Sequence, residues 1–304
     1  MGGHVFSKSS PIAKENIEST LQKFREMMLS IFPNAKNYFT KFITLGSVGK
    51  KDFSGDIDLA FDDSSLDTIE WDLFDDLVYE DYKVFKRRAR TATDRQIWKR
   101  AILTGICNEL KKKGIVCEDK ATGNGMISVQ FSQFNKEGKQ LTKNGFPLKV
   151  QIDMIFGNIE WLKFAYYSDV YKDNVKGLHR SQLILHMFTY KGYSFSHTLG
   201  VMNKTTREIL ADTPESAIEF LNKLYGISLS QDILSNYFSL QEYINKNLKI
   251  DDLNGIYDIY LKTLDSTRCD IPYDMQDYWK YNKARLDLKG KFLPNDSKLL
   301  EFIQ

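Results

Sequence analysis

The sequence predicts an α+β fold, with a mixed αβ half over roughly residues 1–157 and a mostly helical half over 158–304. Three observations carry that expectation. Short apolar runs bounded by Gly, Pro and Asn turns fall in the first half. Longer segments with apolar residues at helical spacing flank them. After Phe156 the strand signals fade and helical periodicity takes over.

Ser10-Pro11 reads as an N-cap with proline in the first turn. Ile12, Ile17, Leu21, Phe24, Met28 and Ile31 then follow at helical spacing, which predicts a helix over 11–31. "KFITLG" and "DIDLAFD" read as two short strands joined by a Gly/Ser/Lys-rich connection. The acidic stretch 62–81 reads as loop with one short helix. Thr93 opens a second helix that closes on a lysine run and Gly114. "IVCED", "GMISVQFSQF" and "FPLKVQIDMIF" read as strands, with Gly123-Asn124-Gly125 and Asn144-Gly145 as turns. Helices are expected over 158–167, 178–191, 214–224, 231–247 and 252–264, the third opened by Thr213-Pro214-Glu215. No internal repeat or low-complexity linker divides the 304 residues.

Apolar residues make up 42% and charged residues 27%, an ordinary soluble composition. A net charge of +2 neither demands nor excludes nucleic acid. Cys107, Cys117 and Cys269 have no metal-ligand spacing, so neither a disulfide framework nor structural zinc is expected. No apolar run approaches the roughly 18 residues of a membrane span. "MGGHVFSKSS" lacks a signal core and, with Phe6, misses the myristoylation pattern. The expectation is a cytoplasmic protein in a reducing compartment, with no membrane partner.

The chemistry gathers at "ITLGSVGKKDFSGDIDLAF", residues 43–61. In a strand, side chains at i and i+2 share a face about 7 Å apart. Asp56 and Asp58 therefore project together while Ile57 and Leu59 face the core. Adjacent carboxylates repel unless they share a proton or a cation, and an oxygen-only donor set suits Mg²⁺. Asp153, alternating with Gln151 and Ile155 in "KVQIDMIF", supplies a third acid in a segment fit for a central strand. Three carboxylates on neighbouring strands can hold two cations, Mg²⁺ with Mn²⁺ as alternative. Gly46 lets backbone approach closely, Ser47 offers a hydroxyl, and the N–H groups that follow can cradle phosphate. Lys50 and Lys51 add charge, and Ser54 and Gly55 offer a second hydroxyl and N–H.

Gly46-Ser47, then Asp56-Ile57-Asp58, with Asp153 on a later strand, resembles the DNA polymerase β-like nucleotidyltransferase superfamily. "VQIDMIFGNIEWLKFAYYS" is similar to the family X stretch in which the third catalytic Asp precedes a Tyr-Phe-Thr-Gly-Ser element, and "YKGYSFSHTLGV" to the thumb segment that follows. The chain also looks like nucleotidyltransferases of large tailed bacteriophages, which would place it in a host cytoplasm. The resemblance covers roughly residues 40–62 and 125–202. It implies a polymerase β-type palm over 1–157 and a helical thumb-like region with a C-terminal extension over 158–304. It implies a metal-dependent transfer of a nucleoside monophosphate from an NTP or dNTP, catalysed by Asp56, Asp58 and Asp153. It also implies a sugar and base pocket lined by Tyr166 and Tyr167, with Asn174 at the spacing of a base-contacting residue. The chain departs from family X in having lysines for paired arginines, and Asp169-Val170 where Gly-Ser is usual. Its first forty residues are too short for the lyase and fingers modules. A simpler nucleotidyltransferase than a templated, gap-filling polymerase is favoured.

The stretch "KVFKRRARTATDRQIWKR", 83–100, holds eight basic residues against one acid, with Phe85 and Trp98 available to stack on bases. It reads either as a phosphate-backbone track through Lys86, Arg87, Arg88 and Arg90, or as a solvated helix face. Arg180 reads either as a triphosphate donor or as part of a helix start, and Asp153 either as a ligand or as a partner of Lys149. His186 reads as a satisfied core histidine; His197 is undecided. The acceptor is expected to be a nucleic-acid 3′-hydroxyl, DNA or RNA. A nucleotide-signal synthase, a protein-modifying enzyme and a catalytically silent binding protein are the other readings.

Overall fold

The fold is known from a computed structural model, which describes residues 5–35, 39, 41–64, 77–90, 92–167 and 177–287. In chain order it runs β1 (Ile12–Ala13), α1 (Ile17–Ile31), β2 (Phe42–Thr44), β3 (Phe53–Ser54), β4 (Ile57–Asp62), α2 (Leu77–Arg88), α3 (Asp94–Lys112), β5 (Val116–Glu118) and β6 (Met126–Ser132). Next come β7 (Thr142–Lys143), β8 (Phe146–Pro147), β9 (Lys149–Gly157), α4 (Ile159–Ala165) and α5 (Leu178–Tyr190). The chain continues through β10 (Tyr193–Ser196), β11 (Gly200–Asn203), β12 (Ile209–Ala211), α6 (Pro214–Tyr225), α7 (Tyr237–Asn247), α8 (Ile250–Ser266) and α9 (Gln276–Asp287).

Five strands form a mixed sheet in the order β2-β4-β9-β6-β5. Among the described residues only β4 and β9 pair in parallel, in a register that sets Asp58 beside Asp153. The period of two divides the sheet chemically. Ile57, Leu59 and Phe61, with Ile152, Met154, Phe156, Ile127 and Val129, enter one core with α1 and α3. The opposite face carries Asp58, Asp153, Ser128, Gln130 and Gln151. At its α4 end, Ala60 and Ile155 pack with Leu45 and Leu162 against Tyr166. At its other end the N-terminal segment closes it. Val5 N–H donates to Gln151 Oε1 at 3.0 Å, and Gln130 Nε2 to Ser9 Oγ at 3.2 Å.

A second core, from Trp161 to Trp279, gathers α4 to α9 around a three-stranded antiparallel sheet, β10-β11-β12. The molecule is thus α+β, with a mixed sheet and flanking helices. Among the described residues no helix is long and apolar enough to cross a membrane.

Several expectations need correcting. The helix expected from Pro11 starts at Ile17. Ser10 does not cap it, because its N–H and hydroxyl both donate to Lys149 O at 2.8 and 3.1 Å. Ile12, fully buried, pairs with Ser54 in an extended strand. Local capping preference loses here to long-range pairing. As expected, Thr93 opens a helix, its hydroxyl and Gln96 closing a reciprocal capping box on α3, so the basic stretch 83–100 spans the end of α2 and the start of α3. The helix expected from residue 231 begins at Tyr237, capped by Asn236. The strands β10 to β12 have three or four residues each, too few to show a period of two. Finally, Cys107 and Cys117 form a disulfide. The chain reverses at Gly114 and lays β5 along α3, bringing the two Cα atoms to 5.7 Å, within disulfide range. Spacing along the chain does not report this reversal, so the inference of a reducing compartment loses its premise.

Candidate active site

Asp58 and Asp153 sit side by side because β4 and β9 pair in parallel. Asp56, just before β4, joins them, and one carboxylate oxygen from each lies within 4.8 Å of the others. Asp153 is buried, and Asp56 and Asp58 are half-buried. Burial, then the charges of Asp56 and Asp153, push the Asp58 carboxyl well above its ordinary range. Burial also raises Asp153, against hydrogen bonds that lower it. Those bonds come from Ser128 Oγ, 2.5 Å from Oδ1, and from Gln151 Nε2, 3.0 and 2.9 Å from the two oxygens. Lys149 forms no ion pair with Asp153, so the lysine-paired alternative fails.

Three carboxylates clustered this closely fit a hard divalent cation. The donor atoms are all oxygen, and a cation would remove both the repulsion and the cost of burial. Asp56, Asp58 and Asp153 are the residues that would hold it.

The connection before Asp56 has the shape its sequence demands. Gly46 has φ +62°, and a Cβ there would lie 3.6 Å from Asp58 Oδ2 and 3.8 Å from Tyr166 O. The backbone thus passes close beside Asp58 in a conformation that favours glycine. Leu45 N–H donates to Asp58 O at 2.9 Å, fixing the turn to β4. Ser47 is half-buried, and Ser54 is buried with its Oγ unbonded among the described residues. Gly55 and Lys50 are exposed and Lys51 is half-buried.

Tyr166 ends α4 close to the site. Burial, then the charges of Asp58 and Asp153, raise its hydroxyl far above the usual phenol range. Exposed Tyr167 lies between two cations, with Lys50 Nζ and Arg180 Cζ each 5.5 Å from its ring centroid. Asn174 lies outside the described residues.

Arg180 is not placed as a triphosphate donor. It is buried, donates from Nε to Leu234 O at 2.7 Å and from a terminal nitrogen to Phe164 O, and stacks on Phe164. Burial pushes its guanidinium down to about 9. It ties α5 to α4 and to the turn before α7. His186 has both ring nitrogens satisfied, by Gln182 O at 2.6 Å and Thr263 Oγ1 at 2.9 Å.

The basic stretch fares unevenly. Lys86, Arg87, Arg88 and Arg90 are exposed at the end of α2. Phe85 and Trp98, by contrast, are taken: Trp98 stacks on Tyr82 with centroids 3.7 Å apart, and Arg100 covers Phe85 at 4.1 Å. Neither aromatic is left to stack on a base.

Sequence reasoning missed Ser128 and Gln130. The signal was the polar alternation Ser128, Gln130, Ser132 inside a strand whose other residues are apolar. No protein-family model matches the chain, and no curated protein sequence matches it.

Proposed function

We propose that the chain is a metal-dependent nucleotidyltransferase of polymerase β type. The sheet half would act as the palm and the helical half as a thumb-like region. One observation carries the reading: three carboxylates on the parallel β4–β9 pair and its approach, with oxygens within 4.8 Å, beneath a glycine-bearing turn. In the proposed reaction an acceptor hydroxyl oxygen bonds to the α-phosphorus of an NTP or dNTP. The bond from that phosphorus to the bridging oxygen breaks, the hydroxyl proton is lost, and pyrophosphate leaves.

Divalent cations bound by Asp56, Asp58 and Asp153, Mg²⁺ or Mn²⁺, would supply charge neutralisation for the triphosphate and a lowered pKa for the acceptor hydroxyl. Ser128 and Gln151 hold the Asp153 carboxylate in one orientation. The Gly46–Lys50 turn passes beside Asp58 at Gly46 and would offer the Ser47 hydroxyl to phosphate, with Lys50 and Lys51 adding positive charge. Ser54 and Gly55 stand next to Asp56 in the chain and would contact the β- and γ-phosphates. Such positioning and charge stabilisation are what phosphoryl transfer asks of a protein.

The exposed cations Lys86, Arg87, Arg88 and Arg90 favour a nucleic-acid 3′ end as acceptor, with salt-dependent binding. The occupied rings of Phe85 and Trp98 favour a second reading, an acceptor held without base stacking, as in nucleotide-signal synthesis or protein modification. The test incubates the protein with Mg²⁺, each labelled NTP and dNTP, and single-stranded, primed and tRNA acceptors. Label on one acceptor, lost in Asp153→Asn, supports the first reading. Pyrophosphate without acceptor labelling supports the second. No turnover with either metal refutes both.

A further inference from the structure

His197 is a titratable side chain that the proposed chemistry leaves unused. It stands at the tip of the β10–β11 hairpin, and that tip is fastened both to α4 and to the sheet half. Trp161 Nε1 donates to Ser196 O at 3.0 Å, and Thr198 Oγ1 donates to Asn124 O at 2.9 Å. Gly157, at the end of β9, admits the tip only because it has no side chain: a Cβ there would lie 3.0 Å from Thr198 O. The Ser196 hydroxyl accepts from Thr198 N at 3.3 Å and Leu199 N at 3.2 Å, closing the turn around His197.

This rigid tip carries the imidazole to Tyr166. The His197 and Tyr166 rings lie 5.2 Å apart between centroids, and Phe195 meets His197 edge-on at 5.4 Å. Tyr166 in turn has its carbonyl beside Gly46 and its hydroxyl within the field of Asp58 and Asp153. His197 is therefore one aromatic ring removed from the acids. Neither of its ring nitrogens has a hydrogen-bond partner among the described residues. The contrast with His179, bonded to Tyr260 at 3.0 Å, and with doubly bonded His186 is plain. Burial pushes His197 down to about 4, so at neutral pH it is an uncharged imidazole. Such a ring offers one N–H donor and one lone-pair acceptor. That pair matches a hydroxyl, which both accepts and donates, better than it matches a phosphate, which at that pH mainly accepts.

We infer that His197 is a specificity-determining residue that hydrogen-bonds a sugar hydroxyl of the bound nucleotide, making the preferred substrate a ribonucleoside triphosphate. The inference rests on the nucleotidyltransferase reading above. Tyr166 supplies the wall on which the sugar and the imidazole meet. A deoxyribonucleotide bound over the half-buried ring would leave the His197 nitrogens facing no hydroxyl, which is how hydroxyl-reading sites reject analogues that lack the group.

The test is equilibrium binding of labelled ATP, 2′-fluoro-ATP and dATP with Mg²⁺ and no acceptor, alongside pyrophosphate release. The wild type is expected to bind ATP about tenfold or more tightly than dATP, with the fluoro analogue between them. His197→Phe, which keeps an aromatic ring but no nitrogen, is expected to weaken ATP alone and bring the ratio to within about twofold. His197→Asn, with a donor and an acceptor, is expected to keep part of it. Equal wild-type affinities for ATP and dATP overturn the inference while leaving the nucleotidyltransferase reading intact. Equal weakening of both nucleotides by His197→Phe also overturns it, because that is the signature of a packing role. Should His197→Phe fail to fold, the wild-type series across the three sugars decides the matter alone. If the wild type binds and turns over no nucleotide, the reading and the inference fall together.

Discussion

The molecule buries charge in two opposite ways. In the helical half, the Arg180 guanidinium is surrounded by carbonyls from Phe164 and Leu234 and by an aromatic face. On the sheet, three carboxylates face one another, and Asp153 is held by Ser128 and Gln151. The difference is not one of domain. Lys99, also in the sheet half, follows the Arg180 pattern, donating to Asp63 at 2.9 Å and to Phe156 O. A buried charge that the fold itself satisfies is holding elements together. A buried cluster of like charges raises the free energy of the fold unless something from outside binds it.

That contrast can be broken in order of effect. Arg180→Ala should be the most costly change, about 3–5 kcal/mol in urea unfolding, since it strips the partner from two carbonyls and opens a cavity. A loss below about 1 kcal/mol would mean the guanidinium is not holding α4, α5 and the turn before α7 together. Asp153→Asn should cut turnover by about a hundredfold or more, near 2.7 kcal/mol, without lowering stability. Turnover surviving that change would remove the acids from the chemistry. Ser128→Ala should weaken Mg²⁺ binding by roughly 10- to 100-fold, as loss of a ligand-orienting partner does. An unchanged Mg²⁺ titration would show that Gln151 suffices.

The pH dependence of stability is the most diagnostic. Asp58 titrates above its ordinary 3.8 in the fold. Between that value and its raised one, the folded protein binds more protons than the unfolded chain. Its contribution to stability is therefore fully present below pH 3.8 and is lost as pH rises through the raised value. In metal-free buffer, the stability of wild type relative to Asp58→Asn should fall as pH rises from 3.8 through that raised value. Mg²⁺ at 100 times its Kd should restore about 2.7 kcal/mol to the wild type. A flat difference with pH, or no Mg²⁺ shift, would mean the acids do not repel and do not bind a cation.

Some features were legible before any coordinates. Gly46 beside Asp56, Asp58 and Asp153 could be picked out because carboxylates in strand-like apolar runs, next to a glycine turn, violate local rules without local compensation. Thr93 and Thr213 as helix starts were legible too, since a cap is satisfied within three residues of chain. Ser10 looked like the same kind of signal and was not, because its hydrogen bonds go to Lys149, 139 residues away. Arg180 and His197 were ambiguous for the same reason: their surroundings come from elements distant in the chain.

Helical periodicity, the Thr93 and Thr213 caps and the oddity of three acids in strand-like runs are readable along the chain, because each depends on neighbours within a turn or a strand. Only the tertiary structure decided that Asp58 and Asp153 share a register, that Ser128 orients one of them, that Cys107 meets Cys117, and that His197 meets Tyr166. Those pairings are fixed by sheet order and by the closing of long loops, and neither leaves a trace in the spacing of residues along the chain.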